Sequence, residues 1–332
     1  MTFDIEYNGK SIKTKNWEPV TDEELAKYRN EYYARPDKSL VLKQMQKINT
    51  DGVMMDKITR YYFRDLMAQT LHGQAKWTVD EVLNSVSLCG IFKAKVNNSP
   101  RVFDPEKPMG YNIERAIALG GKGYAKVPTQ FPVKAADAVY ELYNVNNKVY
   151  DFSCGWGARL VSALKHKLEY YGTDPNYILC ERLEALAQDW ATATKYTPIT
   201  DIRAHGSEIF VPEWENTFGL AFSSPPYFSL EDYKIGQQSY APGITIDEWT
   251  KNYVIPTIKN IHQYLISDGI LAINIKDTEY PLVQIFSDAI EQNNFQFIEK
   301  IELKNIKRLK STGGLTDTTD EGIYIFKNNR GN

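Results

Sequence analysis

Cysteine is scarce in this chain: Cys89, Cys154 and Cys180 are three, odd in number and far apart. That excludes a disulfide framework and a Cys-x-x-Cys metal site, and reduced, isolated thiols are expected. Histidine is nearly as scarce. His72, His166, His205 and His262 are scattered, so no metal centre is expected. No stretch approaches the roughly 18 to 20 uninterrupted apolar residues of a membrane span. The start Met1-Thr2-Phe3-Asp4 also lacks the basic-then-apolar order of a signal peptide, so no membrane partner and a cytoplasmic location are expected. Neither sign of charge dominates: the net charge of −3 excludes a polycation that grips nucleic acid non-specifically, though a local basic face is enough to meet phosphates. Lys300, Lys304, Lys307, Arg308 and Lys310 crowd one segment, which reads equally as such a face or as a solvated edge. Internal repeats and low-complexity tracts are missing too, which excludes repeat arrays.

What is present is a chain of 332 residues, long enough to bury one large core or a core plus a smaller module. From about residue 128 onward, short β-rich runs alternate with helical stretches, the signature of a parallel sheet covered by helices. Strands are expected over Val149–Phe152, Leu168–Thr173, Ile199–Ala204, Phe218–Phe222 and Ile270–Ile275. Helices are expected over Val133–Tyr143, through Leu160, Val161 and Leu164, over a stretch with Leu179, Leu183, Leu186 and Trp190 on one face, and over Leu282–Ile290. A long helix capped by Asp247 and interrupted by Pro256 should end at a Ser267-Asp268-Gly269 turn. The chain then gives Phe295–Leu303 and Gly322–Phe326 with no helix between, a hairpin that would bring the last strand in antiparallel.

The first 125 residues read mostly as helices, with Thr21 to Glu24 and Thr78 to Glu81 as capping-box starts. Asn97 to Lys126, rich in Pro, Gly and Asn, reads as a connector. Two clusters interleave basic and aromatic residues: Tyr28, Arg29, Tyr32, Tyr33 and Arg35, then Arg60, Tyr61, Tyr62, Phe63 and Arg64. Nucleic-acid surfaces have that mixture, but so do helices that bury rings and let charges snorkel. The helix ending at Leu71 and the one beginning at Val79 are a candidate helix-turn-helix.

Three strand ends carry the chemistry. After Phe218–Phe222 comes Ser224-Pro225-Pro226-Tyr227, suited to an exocyclic amino group on a flat heterocycle. The Ser oxygen can accept one amino hydrogen, rigid prolines can aim a backbone carbonyl at the other, and the Tyr ring can lie against the base. After Val149–Phe152 comes Asp151-Phe-Ser-Cys-Gly155-Trp-Gly157, whose glycines let the backbone approach a ligand at a helix N-terminus. Leu160 stands where a dinucleotide fingerprint has its third glycine, which argues against an NAD enzyme. After Leu168–Thr173 comes Asp174, placed to hold a ribose hydroxyl. An adenosine-containing ligand without a pyrophosphate fits both observations, and S-adenosylmethionine is the cofactor expected.

With these segments, and with Pro128-Thr-Gln-Phe-Pro132, the chain resembles the class I S-adenosylmethionine-dependent methyltransferases, specifically the DNA amino-methyltransferases that modify adenine N6 or cytosine N4. The resemblance covers roughly residues 125 to 328. It implies an α/β fold with a Rossmann-like seven-stranded sheet and an antiparallel last strand, preceded by the helical N-terminal region. It also implies residues 126–332 as the catalytic domain and residues 1–125 as the candidate DNA-reading module. By the same resemblance Thr129 helps hold the methionine carboxylate, Asp151, Gly155 and Gly157 surround the methionine part, and Asp174 takes the ribose. Ser207 or Glu208 is the match for the side chain that meets the adenine amino group. The chain departs from the family at Phe152-Ser153, where Pro-Phe is usual, and at Trp156 and Arg159; Arg159 either senses the carboxylate or faces solvent.

An amino group inside a duplex is out of reach, so DNA as partner requires a flipped base or a single strand. Tyr227 would stack on that base, with Phe228 as a second wall or a core anchor. The loop from Phe228 to Pro242, with Tyr233, Lys234, Gln237, Gln238 and Tyr240, would close over it. Ser at the first motif position favours cytosine N4 by resemblance. C5-cytosine chemistry is set aside because no cysteine follows a proline, and Gly120-Gly-Lys-Gly123 lacks the spacing of a phosphate-binding loop. The same chemistry on RNA or a protein amide, and a catalytically silent nucleic-acid-binding protein, remain as alternatives.

Overall fold

The computed structural model describes residues 2–15, 17–51, 55–73, 75–120, 123–128, 130–302 and 321–330. Asn8 and Gly9, at φ 50° and 70°, turn β1 (Thr2–Tyr7) back into β2 (Lys10–Lys15). Asn-Gly favours that tight turn because both residues accept left-handed backbone. Thr21 caps α1 (Asp22–Tyr33) in a reciprocal box with Glu24. Next come α2 (Lys38–Asp51), α3 (Met55–Gln69), β3 (Leu71–His72), α4 (Val79–Leu83), α5 (Val86–Asn97) and α6 (Met109–Gly120). Helices and strands then alternate: α7 (Val133–Tyr143), β4 (Lys148–Asp151), α8 (Ala158–Lys165), β5 (Glu169–Thr173), α9 (Tyr177–Thr194), β6 (Thr200–Arg203) and β7 (Phe218–Ser223). After β8 (Glu231–Asp232) come α10 (Ile246–Trp249), a π turn (Thr250–Val254) and α11 (Ile255–Tyr264). The order ends with β9 (Leu265–Ile275), α12 (Leu282–Glu291), β10 (Phe295–Glu302) and β11 (Gly322–Asn328).

Seven strands form one sheet in the order β10-β11-β9-β7-β4-β5-β6. The pairs β4–β5, β5–β6, β4–β7 and β7–β9 are parallel, while β11 runs antiparallel to both β9 and β10. This is the seven-stranded α/β sheet with an antiparallel last strand that the sequence leads one to expect. All six residues of β7 are buried, which explains its continuous apolar run. The strand order reverses at β4, and in open α/β sheets ligands bind outside the carboxyl ends of the strands at such a switch point, here those of β4, β5 and β7. No described helix is long and apolar enough to cross a membrane.

Several local expectations are corrected. Ser267-Asp268-Gly269 is no turn between elements but an irregularity within β9, where Asp268 takes φ 63°. The β7–β9 register shifts beside it, as a bulge requires. Thr245 rather than Asp247 caps the helix that follows, boxed with Glu248. The interruption there is the π turn, which runs on in helical conformation into α11, where Pro256 is the second residue. The connector at 97–126 holds α6, which buries Ile113, Ala116 and Ile117 on one face. The helix-turn-helix is overturned: α4 is five residues long and buries Val79, Val82 and Leu83.

The chain divides into two compact units. One comprises Met1–Pro36, Arg64–Thr129 and Ser229–Ile235. Tyr28, Tyr32, Trp77, Phe92 and Ile113 are among its core residues. Arg64 lies 4.2 Å over the Tyr32 ring and pairs with Glu114, so this part of the basic-aromatic cluster is packed core. In the same unit β8 pairs antiparallel with β3 through Leu71↔Asp232 and His72↔Glu231. The centre of the expected closing loop is thus held as a strand.

The other unit comprises Asp37–Phe63, Gln130–Phe228 and Gly236–Asn332 and contains the large sheet. Within it, α2 and the start of α3 lie on α9. Gln46 Nε2 donates to the Ala193 carbonyl at 2.9 Å, Tyr62 donates to Asp189 at 2.7 Å, and Lys38 pairs with Asp189 at 2.9 Å.

Candidate functional site

The turn from β4 into α8 runs through Gly155 and Gly157, both left-handed at φ 53° and 74°. A Cβ at Gly155 would make only ordinary van der Waals contact, 3.8 Å from the Ser153 carbonyl and 3.9 Å from Arg159, so its backbone angle alone demands glycine. Gly157 is crowded as well: a Cβ there would lie 3.0 Å from Leu183 and 3.2 Å from Phe63.

Asp174, just past β5, accepts the Gly155 N–H at 3.2 Å on Oδ2 and the Asn176 N–H at 3.0 Å on Oδ1. Burial pushes its carboxyl up to about 6, against the lowering effect of those two N–H groups. An ionised carboxylate has about four acceptor positions, and these bonds fill two. The remainder suits a ligand with paired hydroxyls.

Asp151 is placed differently. Its carboxylate is buried and ringed by the protein's own donors: Arg159 Nε at 2.8 Å, the Tyr170 hydroxyl at 2.7 Å, the Ser223 hydroxyl at 2.7 Å and the Ser153 N–H at 3.3 Å. Arg159, also buried, neither faces solvent nor waits for a ligand carboxylate; it additionally donates to the Ser153 carbonyl. Burial opposes the guanidinium charge, but the Asp151 carboxylate more than offsets it and raises the Arg159 pKa. Asp151 therefore acts as a hub that joins the ends of β4, β5 and β7. Its bond to Ser223 fixes the tetrapeptide beside the glycine turn.

Ser224 and Tyr227 converge on Asn274 of β9. Asn274 Nδ2 donates to Ser224 Oγ at 3.1 Å and to the Tyr227 hydroxyl at 3.2 Å, and the Tyr227 hydroxyl donates to the Asn274 carbonyl at 3.3 Å. Pro225 is buried, and Pro226 is half-buried like Ser224 and Tyr227. Phe228, at φ 54°, is buried among the rings of Tyr240, Trp249 and Tyr280, with centroids 5.0–5.5 Å away. It is a core anchor, not a wall for a base.

Ser207 is buried, with Oγ bonded to Thr257 Oγ1 at 2.9 Å and its carbonyl held by Asn260 Nδ2 at 2.9 Å. Its hydroxyl is thus already engaged inside the protein, and the Glu208 carboxylate lies over Gly206. Thr129 lies outside the described residues, as do Lys304, Lys307, Arg308 and Lys310. The three thiols are buried, and burial holds Cys89 at about 12 and Cys154 well above the usual range. None offers a thiolate at neutral pH.

The sequence reading missed Tyr170, Ser223, Asn274 and Glu321, and left Arg159 open. Asn274 had a signal: it is the one polar residue in the run Ile270-Leu-Ala-Ile-Asn-Ile275. A polar side chain in a strand buried on both faces needs a specific partner.

No family model and no curated protein matches the chain. Among solved structures it is similar to a TehB-like SAM-dependent methyltransferase from Corynebacterium glutamicum, at 16% identity and a TM-score of 0.40, over 59% of this chain and 87% of that one. An rRNA methylase from Streptococcus thermophilus gives 14% and 0.39, over 61% and 99%. A SAM-dependent O-methyltransferase from Thermotoga maritima gives 10% and 0.39, over 61% and 66%. At such identities and scores the likeness says nothing about chemistry or substrate.

Proposed function

We propose that this protein is an S-adenosylmethionine-dependent DNA amino-methyltransferase acting on the exocyclic amino group of a flipped base, cytosine N4 in preference to adenine N6. The observation that carries the reading is the Ser223–Asp151 bond, which sets Ser224-Pro225-Pro226-Tyr227 beside the glycine turn and Asp174 at one edge of the sheet. The left-handed glycine turn and the unfilled acceptor positions of Asp174 fit an adenosine ligand that carries no pyrophosphate. Asp174 would hold the ribose hydroxyls, Gly155 and Gly157 would let the backbone close on the methionine part, and Thr129 is assigned its carboxylate by resemblance alone. When bound, S-adenosylmethionine supplies an electrophilic methyl group.

The protein's own residues would prepare the nucleophile. A base amino nitrogen reacts poorly because its lone pair is delocalised into the ring. Hydrogen bonds from its two hydrogens to Ser224 Oγ and the Pro225 carbonyl favour a more pyramidal nitrogen whose lone pair is available. Tyr227 would lie against the ring, and the surplus proton would leave to Ser224 Oγ or water. Residues 1–125 are the proposed DNA-reading module. In support, the compact unit holding most of them also takes in Ser229–Ile235, the segment that follows the tetrapeptide.

The test is incubation with labelled S-adenosylmethionine and DNA, RNA or protein, followed by nucleoside analysis. N4-methylcytosine in DNA is the expected product. Cofactor binding with no methyl reaching any DNA would overturn the reading, and label in RNA or protein would transfer it to the alternative substrates.

A further inference from the structure

Asn274 is almost fully buried, and its side-chain amide is used asymmetrically. Nδ2 faces three acceptors: Ser224 Oγ at 3.1 Å, the Tyr227 hydroxyl at 3.2 Å and Glu321 Oε1 at 3.1 Å. Oδ1 is buried with no hydrogen-bond partner among the described residues. Leaving a buried carbonyl unpaired is costly, so stability alone does not favour this arrangement. Turning the amide over would be worse, since it would set Oδ1 against the Glu321 carboxylate. Lys276 Nζ holds that carboxylate in place at 3.1 Å on Oε2.

We infer that Asn274 is a positioning residue for the Ser-Pro-Pro-Tyr loop and that Glu321, anchored by Lys276, sets the direction of its amide. The inference rests on the proposed methyl transfer for its catalytic meaning. With Nδ2 turned toward the loop, one lone pair of Ser224 Oγ is occupied by Asn274. With the Ser224 hydroxyl donating to the Tyr227 hydroxyl at 3.4 Å, the other would be left for the substrate amino group. The Tyr227 ring is pinned through its hydroxyl at both the side chain and the main chain of Asn274. Preorganisation of this kind affects the reacting geometry more than the binding of either substrate.

The sharp consequence falls on Glu321, which meets Asn274 Nδ2 through Oε1 and Lys276 through Oε2. Glu321→Ala should lower single-turnover methyl transfer at least tenfold with the cofactor Kd unchanged within threefold. Glu321→Gln, which keeps an acceptor for Nδ2, should retain most of the rate. Asn274→Ala should lower the rate at least as much as Glu321→Ala, and the double variant should add little more. A Glu321→Ala rate within twofold of the unchanged protein would overturn the relay. Nuclear magnetic resonance of protein labelled at Asn with nitrogen-15 gives a readout that needs no activity. The side-chain amide signal identified by its loss in Asn274→Ala should shift in both Ser224→Ala and Glu321→Ala. If it stays put in both, the inference fails; if it shifts while no substrate is methylated, the relay stands and the proposed function fails.

Discussion

At Asp174 and Asp151 the same side chain stands at neighbouring strand ends under opposite conditions. Asp174 has two backbone donors and a carboxyl raised to about 6 by burial. A cofactor whose hydroxyls donate to it requires the ionised form, so binding below pH 6 must first remove a proton. The dissociation constant for S-adenosylmethionine, measured by equilibrium dialysis, should tighten about fivefold between pH 5 and pH 6 and about tenfold in all by pH 7, then level off. Asp174→Asn should bind weakly and lose that slope; an unchanged slope in the variant would show that another group titrates. For folding the sign is the reverse. A carboxyl raised above its unfolded value of about 3.9 favours the free fold at low pH, and that contribution is lost as pH rises through about 6.

Asp151, with its donor set already supplied by the chain, should behave as a structural residue. Asp151→Asn leaves the buried Arg159 without a carboxylate, a change worth about 3–5 kcal/mol. Urea denaturation should therefore register a large loss of stability. Combining it with Arg159→Met, which removes the stranded charge, should recover part of it. Unchanged stability with weakened cofactor binding would return Asp151 to the role that resemblance assigns it.

Among the elements, the β4–α8 turn separates two reasons for glycine. Gly155→Ala meets only ordinary van der Waals contacts and should cost only the left-handed backbone term of about 1–2 kcal/mol. Gly157→Ala adds crowding against Leu183 and Phe63, so its unfolding midpoint should fall further. Equal midpoints would mean that α3 or α9 yields without strain. This turn was legible because Gly155 and Gly157 follow an expected strand and Asp174 follows the next, and the strands flanking it were legible too. The sequence hid what depends on distant partners. Arg159 reads two ways because its partner is eight residues away, and the role of Asn274 is not legible because Ser224 and Glu321 lie about fifty residues to either side. The Asn8-Gly9 hairpin, by contrast, is legible from its turn chemistry, although the first 125 residues read mostly as helices.

For the whole molecule, the informative fact is that the unit holding the large sheet starts well before residue 126, since Asp37–Phe63 belongs to it. A fragment of residues 126–332 would lack the partners of Asp189, the donor to the Ala193 carbonyl and the Phe63 ring beside Gly157. Removing that layer would expose the apolar face of α9 that Phe63 helps cover near Leu183, and exposed patches of this kind promote aggregation. The 126–332 fragment should thus be poorly soluble or unfold at a lower midpoint than the full chain. Adding residues 37–63 in trans as a peptide should raise its midpoint, as ligand linkage requires of anything that binds only the folded state. A 126–332 fragment as stable as the full chain would show that the sheet and its own helices suffice, and that the 125/126 boundary marks an independent domain after all.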